Sequence, residues 1–85
     1  MGEKRILGVH LSERVKDAVK LQDILTKFGC SIKTRIGLHD VAENYCSPCG
    51  LILLELIGDL KECDKLENEL AKIKGATVKK MTFEC

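Results

Sequence analysis

Thr34-Arg-Ile-Gly-Leu-His39, then residues 40–49, then Gly50-Leu-Ile-Leu-Leu-Glu55 decide how this chain folds. The first piece alternates. Ile32, Thr34, Ile36 and Leu38 define one face, and Lys33, Arg35, Gly37 and His39 the other. Successive side chains of a strand point to opposite faces, so residues 31–39 read as a strand. Residues 51–57 are apolar almost throughout, the pattern of a central strand covered on both faces. About ten residues join the two, more than a tight hairpin uses, and they carry Cys46-Ser-Pro-Cys49. A connection of that length with reactive side chains reads as a functional loop.

The same reading extends to both ends of the chain. Residues 5–11 alternate, with Leu7, Val9 and Leu11 on one face and Ile6, Gly8 and His10 on the other. Ser12 follows as an N-cap, and Val15, Ala18, Leu21, Leu25 and Phe28 recur at helical spacing up to Gly29, a C′ glycine. Gly58 breaks the third strand. Asp59 with Glu62 forms a capping-box variant ahead of a stripe of Leu60, Cys63, Leu66, Leu70 and Ile73. Gly75 ends that helix, and residues 76–83 close the chain as a strand, its alternation blurred at Lys79-Lys80 as at an edge or a bulge. Cys30 and Cys63 fall on apolar positions and read as core.

The order is β-α-β-β-α-β over one domain, residues 1–85. Right-handed crossovers turn it into an α+β ferredoxin-like sandwich: a four-stranded antiparallel sheet with both helices on one face. The other face then shows Ile6, Gly8, Leu51, Leu53 and Ile57 to water. That much apolar surface on a small chain predicts a homo-oligomer, a dimer or tetramer joined through the open sheet face or the strand edges.

Composition narrows the function. The net charge is +1 and only 4% of residues are aromatic, so neither nucleic acid nor an anionic membrane is an expected partner. The apolar run after Met1 is short and interrupted by His10 and Ser12, unlike a signal peptide or a span. An odd count of five cysteines in an aliphatic-rich chain argues for reduced thiols and a cytoplasmic location.

Topology gathers chemistry at one end of the sheet. The first strand runs antiparallel to the third, so His10, His39, Cys46 and Cys49 converge, and strand parity puts both histidines on the open face. Two thiolates and two imidazoles are the ligand types of zinc or another transition metal. A redox dithiol is a second reading, although a strand rather than a helix follows the cysteines. A plain turn, shaped by Pro48 and Gly50, is a third. Lys33 and Arg35 suit an anion or a cross-strand pair with Glu55. Glu55 with His39 is a candidate acid–base pair that lacks any nucleophile or phosphate loop beside it.

Over its whole length the chain resembles the small ACT-like proteins related to the C-terminal domain of the nickel-responsive regulator, and among them the iron-only hydrogenase system regulators. The element order, Thr34-Arg-Ile-Gly37, Gly50 to Glu55 and Gly75-Ala-Thr-Val-Lys79 carry the resemblance. It implies a ferredoxin-like fold, sheet-mediated oligomers and small-molecule binding at subunit interfaces. On that basis the chain is expected to be a non-enzymatic regulatory module. Its small-molecule effector would meet Arg35, Gly37 and His39, with His10 and Ser12 nearby. The alternative is a metal-binding protein using Cys46, Cys49 and His39 or His10.

Overall fold

Alternating leucines and valines on two neighbouring strands build one wall of the core. A computed structural model describes residues 2–12, 14–42 and 45–84, and the side chains of residues 14–16, 38–42 and 45–49 lie outside that description. The elements are β1 (Glu3–Leu11), α1 (Arg14–Lys27), a 3-10 turn (Gly29–Ser31), β2 (Ile32–Ala42), β3 (Tyr45–Leu56), α2 (Leu60–Ala71) and β4 (Ala76–Glu84). The sheet order is β2-β3-β1-β4, and each neighbouring pair is antiparallel. Leu7, Val9 and Leu11 of β1 and Leu54 and Leu56 of β3 are buried against Leu21, Leu25 and Phe28 of the α1 segment and Cys63, Leu66 and Leu70 of α2. Both helices therefore cover the same side of the sheet, as the element order predicts. Each of these leucines contributes roughly 2 kcal/mol of burial, which makes this layer the main source of stability.

The turns obey local chemistry. Gly58 has φ of +88°, a region that only glycine enters without strain, and it stops β3 from running into α2. Asp59 caps α2 by accepting from the Lys61 amide at 2.9 Å. Glu62 pairs with Lys65 at 2.9 Å. Gly75 lies beyond the helix, which ends at Ala71 with Lys72 as its cap, so it is not the terminating residue expected. Its reason is close approach: a Cβ there would run into the Asp17 carboxylate.

Four further expectations change. Cys30 is exposed, because the 3-10 turn at Gly29–Ser31 intervenes before the strand and buries Ser31 in its place. Gly29 opens that turn and has no left-handed backbone. Leu60, at the outer start of α2, is exposed, while the rest of its stripe is buried. In β2 the register shifts between Ile32 and Thr34. Ile32 pairs with Leu56 on the helix side, whereas Thr34 and Ile36 pair with Glu55 and Leu53 on the open side. One extra residue, Lys33, resets the alternation there.

The largest correction concerns residues 40–49. Residues 40–42 and 45–49 are strand rather than loop: β2 continues to Ala42 and β3 begins at Tyr45, so the two strands form a long arm. Val41 pairs with Cys46 and His39 with Gly50, leaving Asp40 opposite Ser47, Pro48 and Cys49. Pro48 has no N–H to give a ladder, so the strand bulges there and then resumes pairing. The arm elongates the molecule, whose extents are 47 × 22 × 17 Å. Among the described residues no helix is long and apolar enough to cross a membrane.

Candidate functional site

The register settles which chemistry-bearing positions meet. His10 of β1 pairs with Leu51, and His39 of β2 pairs with Gly50. The two histidine positions thus flank adjacent residues of β3, and Cys46 and Cys49 follow on the same arm. Adjacent strand residues face opposite sides, so positions 10 and 39 have opposite parity and do not share the open face. His10 is exposed, while the side chains of His39, Cys46 and Cys49 fall outside the described residues. Among the described residues no group of three or more metal-ligating side chains occurs.

Arg35, Gly37 and His39 keep one parity along the edge strand β2, pairing with Leu54, Ile52 and Gly50. Arg35 and Gly37 are exposed. Ser12 stands at the end of β1, and its amide donates to the Gly75 carbonyl at 2.9 Å, with its hydroxyl 3.2 Å from the same oxygen. That amide is therefore engaged by the chain itself. Asp17, buried in the first turn of α1, lies over Gly75 beside Ser12. In the sequence Asp17 reads as an ordinary first-turn acid, so nothing local announced that it is buried.

Two other polar clusters matter. Arg5 lies on the helix side of β1 and is buried, donating to Glu3 and Asp64 at 2.7 Å each and to Glu67 at 3.4 Å. Its bonds to Asp64 and then Glu3 hold the guanidinium protonated even more firmly than usual. Glu67 also meets Lys80 at 3.5 Å, so this network clamps β1, α2 and β4. Arg5 continues the parity of Leu7, Val9 and Leu11, a signal of burial legible in the sequence. On the open side Glu55 accepts from Thr34 at 2.9 Å and pairs with Lys4 at 3.5 Å. The Thr34 bond, helped by Lys33 and Lys4, lowers the Glu55 pKa. Lys33 or Arg35 is the expected partner of Glu55; Thr34 and Lys4 make its contacts, Lys33 adds its charge, and Arg35 stands opposite Leu54 on the other side of the sheet. His39 pairs with Gly50, five residues along β3 from Glu55 and about 17 Å away at strand spacing, so these two do not form an acid–base pair.

A groove of about 270 Å³ between α1 and α2 is lined by Lys20, Asp23, Ile24, Glu69, Lys72 and Ile73. Its two cations and two carboxylates balance, so it has no preference for a charged ligand.

No protein-family model and no curated protein matches this chain. Solved structures do. An uncharacterized protein from Thermotoga maritima is 25% identical, with a TM-score of 0.81 over 98% of this chain and 100% of its own. The ACT domain of the GTP pyrophosphokinase of Chlorobium tepidum is 15% identical, with a TM-score of 0.63 over 92% of this chain and 96% of that domain. A nitrogen regulatory PII-like protein from Thiomonas intermedia, bound to ADP, AMP and bicarbonate, is 13% identical, with a TM-score of 0.55 over 99% and 96%. The fold is thus the ferredoxin-like, ACT-like one that the element order and sheet topology define.

Proposed function

We propose that this chain is a non-enzymatic regulatory module of the ACT-like kind, a single domain over residues 1–85, that self-associates and binds a small effector. The observation that carries the reading is the sheet's uncovered face. Ile36 and Met81 there are about half exposed, and Ile6 and Leu53 stand between them. Apolar surface of that kind costs free energy in water and is relieved by association. In this reading the effector meets Arg35, Gly37 and His39 along the β2 edge, while Ser12 and His10, the latter on the opposite face, lie near the same end of the sheet. A nitrogen regulatory PII-like protein of the same fold that holds ADP, AMP and bicarbonate supports this reading. The finer likeness to hydrogenase system regulators belongs to the same proposal, as does a cytoplasmic setting. An effector with different affinity for two assembly states would supply the switch.

Thermal shift of the full chain against amino acids, nucleotides and divalent metals tests it. A rise in Tm with one class that Arg35→Ala abolishes supports the reading. No shift with any class, from a chain that stays monomeric, overturns it.

A metal-binding role is the second reading. It is favoured by the register, which sets His39 opposite Gly50, next to Cys49, with Cys46 three positions further along the arm. Zinc or another transition metal is the ion for such ligands. Elemental analysis of protein purified without chelator decides it. Stoichiometric metal lost in Cys46→Ser supports it, and a trace that the substitution leaves unchanged ends it.

A further inference from the structure

Gly37 has no explanation inside the chain. Glycine within a strand weakens it, and where one persists something else often approaches the backbone closely. Gly58 turns with positive φ, Gly75 lies under the Asp17 carboxylate, and a Cβ on Gly8 would touch Leu53 at 3.6 Å. The φ of Gly37 is not positive, and a Cβ built there meets nothing within 4 Å. It stands on the helix side of the edge strand β2, opposite half-buried Ile52. α1 packs chiefly on β3 and β1, so the space above Gly37 stays open.

Arg35, on the same side of β2, is a cation without a counter-ion. Arg5 and Lys80 also stand on the helix side of the sheet, and both are matched: Arg5 by Glu3 and Asp64, Lys80 by Glu67. Among the described residues Arg35 has neither a hydrogen bond nor an ion pair, and it is exposed. The bulge at Lys33 is what isolates it. It carries Arg35 across the sheet from Glu55, and the residue then opposite is Leu54.

We propose that Arg35 and Gly37 form a ledge for a small organic anion: a flat apolar body rests on the bare backbone at Gly37 beside Ile52 and carries a carboxylate or phosphate group to the Arg35 guanidinium. This rests on the effector reading above and supplies the chemical class of that effector. Positions 35 and 37 are about 6.6 Å apart at strand spacing, so a benzene-sized ring with one charged substituent spans them. A flat body touches a floor without side chains over its whole area, whereas a branched one meets it at a point. The guanidinium forms paired hydrogen bonds with either anion. A cationic ligand is repelled by the same charge, and a neutral ring gains the apolar contact alone.

NMR titration of the isotope-labelled full chain with benzoate, phenyl phosphate, inorganic phosphate, benzamide and benzylamine tests the ledge. Benzoate and phenyl phosphate are expected to give saturable shifts at the amides of Arg35, Gly37 and Ile52, and the tighter of the two tells a carboxylate ligand from a phosphate one. Inorganic phosphate lacks the flat body and benzamide the charge, so each is expected to bind roughly tenfold more weakly, and benzylamine not at all. Arg35→Gln is expected to weaken both aromatic anions by about tenfold or more. Gly37→Val covers the floor, so it loses the aromatic anions and keeps inorganic phosphate. Its urea midpoint is expected to hold, because the space is open and a β-branched residue suits a strand. No saturable shift with either aromatic anion overturns the ledge. So does benzamide binding as tightly as benzoate, benzoate binding that Gly37→Val leaves unchanged, or shifts that map to Lys20 and Lys72 in the groove between the helices. The ledge and the regulatory reading fail separately. A Tm rise with a divalent metal and with no anion ends the ledge and keeps an effector. Anion binding at Arg35 and Gly37 that leaves the sedimentation of the chain unchanged keeps the ledge and ends the assembly switch.

Discussion

Single positions in this chain are decided by what lies over them. Gly75 has an ordinary backbone, and its lack of a side chain matters because the Asp17 carboxylate fills the space above it. Gly75→Ala is therefore expected to destabilise the fold by about 1–3 kcal/mol, the range for forcing atoms into occupied space. Urea unfolding measures it, and the same change in an Asp17→Ala background should cost less, since the two positions touch. Glu55 gives a pH signature. Its folded pKa is held below the ordinary 4.5 by Thr34 first, with Lys33 and Lys4 helping. A depressed carboxylate stabilises the fold fully above its unfolded pKa and loses that contribution as pH falls through its folded value. The stability gap between wild type and Thr34→Val should hold at neutral pH and close on acidification below the ordinary glutamate range. A gap independent of pH would remove Glu55 from the account.

Among the elements, α2 shows local signals working as read. Gly58 turns the chain with positive φ, Asp59 caps, and Cys63, Leu66 and Leu70 face the core. Asp59→Ala is expected to cost about 1 kcal/mol in thermal or urea unfolding through the lost cap. The β2–β3 hairpin shows the limit of such signals. Polar residues, a proline and a glycine between two apolar runs carry the composition of a loop, yet pairing continues to Ala42 and resumes at Tyr45. A strand accepts a proline where its partner ladder is interrupted, and the bulge opposite Asp40 provides that interruption. The alternation of β2 misled for a related reason. The bulge at Lys33 moves Ile32 to the opposite side from Ile36, and an inserted residue leaves no mark in a periodic pattern.

For the whole molecule, the helices take one side of the sheet and leave the other to water or to a partner. The proposed self-association would then be part of stability. If the folded chain pairs and the unfolded chain does not, Tm rises with protein concentration by mass action. Scanning calorimetry over a hundredfold concentration range checks this. A constant Tm in wild type would mean that the uncovered face is tolerated as it stands.

Element order, helix faces and the Gly58–Asp59 start of α2 were legible in the residues alone, because backbone propensity and burial periodicity are local. The burial of Arg5 was missed, although it shares the parity of Leu7 and Val9. Only the tertiary structure decided which residues stand opposite one another: that β3 pairs with β1 on one side and β2 on the other, and that His10 and His39 fall on opposite faces. Register depends on bulges and long-range pairing, and a shift of one residue exchanges the two faces of a strand, so periodicity by itself cannot carry it.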